Sequence, residues 1–226
     1  MPLTRSLATA DEIHDYLVSQ LNLALRRPGM FGREGVQQML MDHLLFVENE
    51  PEAWAQQQHV WEDRGIWTGI GVEGAFWDMV PGHRDENTTT SIYAEFAHCR
   101  GWLAPDRVLT SDEYRALRDR ARSWASGDRE WADVTAEFGA PSLLIGGTNP
   151  YYGKTLGYLG ENPEEPIVFF HLWNGSAPGD EASWPELQQP VLLGVRFGDG
   201  PFPSTFTFTP EGLRRRPQRD PDGHCH

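Results

Sequence analysis

The sequence predicts an α+β fold in which a helical N-terminal half packs on a C-terminal antiparallel β-meander. Three observations carry this expectation. Up to about residue 139 the apolar residues recur at helical spacing. Beyond residue 142 they fall in short runs divided by turn residues. Helices followed by strands, without strict alternation, argue against a doubly wound parallel sheet. The 226 residues are read as one domain, mainly helical over about 10–139 and mainly β over about 142–209, with residues 1–9 and 214–226 as flexible tails.

Over 11–27, Ile13, Leu17, Leu21 and Ala24 form one helical stripe, and Pro28-Gly29 stops the pattern. A second helix is predicted over 34–48. Val36, Met39, Leu40, Leu44 and Val47 line one side while Met41, Leu45 and Phe46 lie off it, so this helix is expected to be buried all round, with His43 as a hydrogen-bonded core histidine. Residues 51–64 permit a third helix with Pro51 in its first turn, and the glycine-rich stretch 65–74 reads as a loop or irregular strand. A helix over 88–100 buries Ile92, Tyr93, Phe96 and Ala97 and ends at Gly101. Thr110 and Glu113 have capping-box spacing for a helix to about residue 126. Asp128 is placed to cap a shorter helix carrying Trp131, Val134 and Phe138. Strands follow at 143–145, 155–159, 167–173, 191–197 and 205–209, and the turns between them suit hairpins.

The formal net charge of −14, from 19 basic against 33 acidic residues, opposes binding to a phosphate backbone. It is compatible with ordinary solubility and with a basic protein partner. Of the two cysteines, Cys225 is next to last, so a disulfide framework is not expected and a reducing compartment fits. The N-terminus lacks an apolar stretch of about 7–15 residues, and no run approaches the roughly 18 apolar residues of a membrane span. A cytoplasmic protein without membrane contact is expected.

Several motifs tempt a chemical reading. Gly69 to Gly74 matches GxGxxG, but the following AFWDMV is too short for the helix of a dinucleotide site, and glycines packing against Trp67 and Trp77 suffice. The segment from Gly147 to Thr155 looks like a phosphate loop with one residue too many and no following helix. Within it, Asn149-Pro150-Tyr151-Tyr152 resembles the Asn-Pro-Pro-aromatic loop of amino-methyltransferases without its second proline, and a turn between strands is the simpler account. Glu95 and His98 have ExxH spacing but no second copy, which suits a surface hydrogen bond. His224-Cys225-His226 carries metal-ligand chemistry on a terminus too loose to fix a geometry. There is no Gly-x-Ser-x-Gly elbow, and Cys99 lies in a helix with no evident base. No cofactor and no metal are expected.

Arg27-Pro28-Gly29-Met30-Phe31-Gly32, between two helices, resembles a phrase shared by gyrase-type ATPases and a set of small bacterial proteins, several of them toxin-immunity proteins. The ATPase relation would require a later Asp-x-Gly-x-Gly, which is missing. The immunity-type relation asks only for a helix, a tight turn and a second helix, and implies a protein that binds a macromolecular partner. Packing of Met30 and Phe31 onto apolar neighbours would explain the phrase equally well.

Alternation over 167–173 places Ile167, Phe169, His171 and Trp173 on one face of a strand. With Lys154, Tyr158, Arg196 and Thr207 on the lighter side of neighbouring strands, the sequence suggests an open sheet face mixing aromatic and polar groups and rimmed by residues 174–190. The functional expectation is a non-catalytic acidic protein that binds a protein partner through this face. The alternative is a hydrolase or small-molecule-modifying enzyme using His171 as acid/base and Arg196 to hold an anion.

Overall fold

The computed structural model describes residues 7–81, 85–175 and 187–217. Helix α1 (Ala10–Arg26) opens with a capping box between Thr9 and Glu12. A single turn, α2 (Pro28–Phe31), uses Pro28 at its first position, and Gly32 at φ +94° reverses the chain into α3 (Arg33–Val47). Then come α4 (Ala53–Asp63), a turn α5 (Glu73–Phe76) at the end of the glycine-rich stretch, α6 (Glu86–Cys99), α7 (Ser111–Trp124) and α8 (Trp131–Phe138). Thr110 and Glu113 close the capping box their spacing predicts. Helix α8 is capped by Glu130 with Asp133 instead of by Asp128, which bonds Arg214 and the Glu211 amide at 2.7 Å each.

Strands β1 (Leu143–Ile145), β2 (Lys154–Tyr158), β3 (Val168–Trp173), β4 (Val191–Arg196) and β5 (Phe206–Phe208) pair in chain order, all antiparallel, as the meander requires. A register shift between His171 and Leu172 lets Leu193 bulge out of the β3–β4 ladder. Residues 210–215 form a further helix, α9 (Pro210–Arg215), capped by Thr209, so Arg214 and Arg215 belong to an ordered element where a tail was expected.

The sheet has apolar side chains on both faces, and helices cover both. Leu143, Ile145, Phe169 and Phe206 pack with residues of α1, α3 and α6. On the reverse, Leu156, Phe170, Leu172, Leu192 and Val195 pack with Leu117 and Ala121 of α7 and Val134 of α8. A strand that is apolar on both sides must be shielded on both. Helix α3 departs from expectation in the opposite sense. Its Leu40, Met41, Leu44 and Leu45 are buried, but Met39 and Phe46 are 48% and 72% exposed, and His43 faces solvent instead of the core.

The GxGxxG stretch has an internal occupant. The Val72 and Glu73 amides donate to the Glu34 carboxylate at 2.7 and 3.2 Å, joined by the Tyr93 hydroxyl at 2.5 Å and the Gln38 side-chain amide at 3.0 Å. A Cβ at Gly71 would stand 2.5 Å from that carboxylate, so glycine is needed to let it in. Burial and the neighbouring Glu34 carboxylate push the Tyr93 phenol well above its ordinary value.

Candidate functional site

The open sheet face expected from the sequence does not form, because its six residues divide between two covered faces. Lys154 pairs across the ladder with Leu172, Tyr158 with Val168 and Thr207 with Val195, which sets all three on the α7–α8 side. His171, Trp173 and Arg196 lie on the side of α1, α3 and α6, where Phe206 is the cross-strand partner of Arg196. Lys154, Tyr158, His171 and Arg196 have essentially no exposed surface, while Trp173 and Thr207 are half-buried at the sheet's margins.

Lys154, Tyr158, His171 and Arg196 find partners inside the fold, although His171 Nε2 and Arg196 Nε are buried with no hydrogen bond. The Arg196 guanidinium bonds Glu95 of α6 at 2.9 Å and Ser91 at 3.3 Å and lies 4.9 Å from the centre of the Phe169 ring. Burial raises the Glu95 carboxyl and lowers Arg196, each opposed by the partner's charge. His171 shares a 3.1 Å hydrogen bond with the Thr155 hydroxyl and stacks on Phe206, and burial, then Arg196, hold it well below its ordinary value. A neutral, sealed imidazole beside a paired arginine reaches no substrate. Tyr158 donates to the Gly139 carbonyl at 2.9 Å. Lys154, the chain's single lysine, donates to the carbonyls of Gly147 and Asn149 at 3.2 and 2.7 Å, with its ammonium 3.8 Å from the centre of the Trp131 ring. Burial brings it down to about 8.

Lys154 thereby pins the back of a loop whose front wall belongs to an open cleft of about 610 Å³. The cleft lies between the α2 turn, the start of α6 and the β1–β2 connection, with Trp173 on one side. Three glycines make room for its polar groups. An added Cβ would come within 2.6 Å of the Glu86 carboxylate at Gly29, 2.8 Å of the Asn87 side-chain oxygen at Gly146, and 2.6 Å of the Arg27 guanidinium at Gly147. Gly146 and Gly147 also have φ of +96° and +81°, which side chains disfavour. Asn87 ties the two walls by donating to the Gly153 carbonyl at 3.1 Å, and the Gly146 amide donates to the Arg26 carbonyl at 3.0 Å.

The charges in the cleft are mixed. Asp85 caps α6, accepting from the Asn87 amide at 3.0 Å and from the Thr88 hydroxyl, yet burial pushes its carboxyl up to about 6. Glu86 is 4.0 Å from Arg33. The Arg27 guanidinium has no hydrogen-bond or ion-pair partner among the described residues. Tyr152, half exposed, and Trp173 supply aromatic surface, and Met30 and Pro28 supply apolar surface. Among the described residues the lining has no serine, cysteine, histidine or lysine side chain, and those present offer contacts for recognition.

Glu95 and His98 do not bond one another. They line a separate pocket of about 430 Å³ beside Trp61, with Cys99. Burial lowers His98, while burial, Glu95 and Asp199 push the Cys99 thiol up, the reverse of an activated cysteine. Among the described residues no group of three or more His, Cys, Asp or Glu side chains could hold a metal ion. His224, Cys225 and His226, Trp184 and most of the expected 174–190 rim lie outside the described residues. No helix among the described residues is long and apolar enough to cross a membrane.

Comparison with protein-family models, with curated proteins and with solved structures gives no match. Reading the sequence singled out two of its walls, Arg27–Gly32 and 147–155, as separate motifs and overlooked Asp85, Glu86 and Asn87. The usable signal was shared by both phrases: each sets glycines beside a polar or charged residue, which is how a backbone admits a bulky neighbour.

Proposed function

We propose that the protein is a non-catalytic recognition protein and that the cleft between α2, the start of α6 and the β1–β2 connection seats a segment of a macromolecular partner. The observation that carries this reading is the cleft itself, where Arg27, Glu86 and Asn87 gather beside Tyr152, Trp173 and Met30 against a glycine-lined wall. The chemistry of the lining suits a protein segment with a cationic side chain for Asp85 and Glu86 beside an aromatic or long apolar one for Trp173, Tyr152 and Met30. That choice agrees with the net charge of −14. It is also the kind of activity implied by the resemblance of Arg27–Gly32 to immunity-type proteins. The alternative enzyme, working through His171 and Arg196, would need both side chains to contact a substrate, and neither reaches the surface.

The test compares polypeptides retained from lysate by immobilised wild-type chain, by Tyr152→Ala, and by Leu213→Ala on α9 as an exposed control. A polypeptide held by wild type and by Leu213→Ala, and lost with Tyr152→Ala, supports the cleft. Identical retention by all three removes it.

A further inference from the structure

A second surface, separate from the cleft, is built by α1 and α3. Ile13, Tyr16, Leu17 and Ala24 on α1 face Val36, Met39, Leu40 and Val47 on α3 across a groove, with Phe31 at one end and Phe46 on its rim. Among the described residues only Gln20 and His43 interrupt the apolar lining. Tyr16 is 62% exposed and Phe46 72% exposed. Large apolar side chains held out to solvent in one contiguous patch are unusual for a surface with nothing to contact. The span from Ile13 to Ala24 at about 1.5 Å per residue gives a groove of roughly 16 Å, the length of three helical turns.

Charge selects the occupant. Of the exposed acids on these helices, Glu12 on α1 and Asp42 on α3 flank the groove, each four residues before an exposed aromatic, Tyr16 and Phe46. The basic residues of this hairpin stand at its linked end and are turned elsewhere: Arg26 bonds Asp106 at 2.7 Å, Arg33 faces Glu86, and Arg27 lies over Gly147 in the cleft. A second copy would therefore bring acid against acid along the flanks. Resting on the reading of the chain as a recognition protein, we propose that the α1–α3 groove holds an amphipathic helix of a protein partner, with an apolar ridge at i, i+3/i+4 and i+7 spacing and basic residues on both flanks.

The probe is a synthetic amphipathic helix with leucines along its ridge and lysines on its flanks, compared with the same peptide carrying glutamates on its flanks. Anisotropy is read with full-length wild type, Phe46→Glu and Met39→Glu, all checked for folding by circular dichroism, and sedimentation reports oligomeric state. The lysine peptide should bind wild type, lose about tenfold or more in affinity with Phe46→Glu or Met39→Glu, and weaken with added salt. Equal binding of both peptides, or unchanged binding by both variants, overturns the proposal. A wild-type dimer split by Phe46→Glu would give the groove to a second copy, and tighter binding after removal of residues 1–6 would give it to the chain's own leading segment. Because the cleft is tested at Tyr152, failure in the groove leaves that test standing, and the reverse holds too.

Discussion

Replacing Lys154 by methionine should abolish a pH dependence that the buried amine imposes on stability. In the folded chain the amine titrates near 8 against an ordinary value of 10.5, because burial disfavours the cation. Below pH 8 both states hold the proton, and the native state bears the cost of an ammonium with only two carbonyls and the Trp131 ring for company. As pH rises through 8 the folded chain releases the proton while the unfolded chain keeps it until 10.5. The unfolded state then binds more protons, so stability climbs, by about 2 kcal/mol between pH 7 and 9.5. Urea unfolding followed by tryptophan fluorescence, run across that interval for wild type and Lys154→Met, measures it. The quantity of interest is the difference between the two proteins, in which the tyrosines and Cys99 cancel. Wild type should gain about 2 kcal/mol on the variant as the solution becomes alkaline. A difference that stays flat would mean that the amine is neither sealed nor short of a counter-ion, and the account of the β1–β2 connection would fall.

Two further outcomes follow from the buried polar groups. Glu95→Ala should lower stability by about 3–5 kcal/mol, because it leaves Arg196 charged and buried, whereas joint replacement by Glu95→Leu and Arg196→Met should restore most of that loss in the same urea titration. Glu34→Ala strips an acceptor from the Val72 and Glu73 amides and the Tyr93 hydroxyl, and should cost about 3 kcal/mol or more with faster hydrogen exchange at those two amides, while Glu34→Gln recovers part of it.

The succession of elements was legible because it depends on local rules. The helical stripe from Ile13 to Ala24, the Thr110–Glu113 box and the two-residue alternation of Ile167 to Trp173 each act within a few residues, and each appears in the structure. The site was not legible, since its residues meet only through long-range pairing. Arg196 looked like a surface marker until its partner, Glu95, arrived from a helix about one hundred positions earlier in the chain. The apolar character of both Phe169 and Phe170 already pointed to a sheet covered on both sides, but the polar residues of β2 and β4 outweighed it in the reading. Thr207 was grouped with Arg196 although the β4–β5 register sets it opposite Val195. The second helix shows the converse: periodicity identified its apolar residues but could not say which of them the fold would cover, so Phe46 and His43 were assigned to a core they do not join.

Lys154 has one more consequence. Since no other lysine exists in the chain and this one is sealed behind the turn it anchors, amine-directed acylating reagents, amine crosslinkers and isopeptide-linked modifiers find no accessible side-chain amine on the native molecule. Attachment at this residue requires β2 to open first. The extent of lysine labelling thus counts opened molecules, and the protein carries its own gauge of how often that strand comes undone.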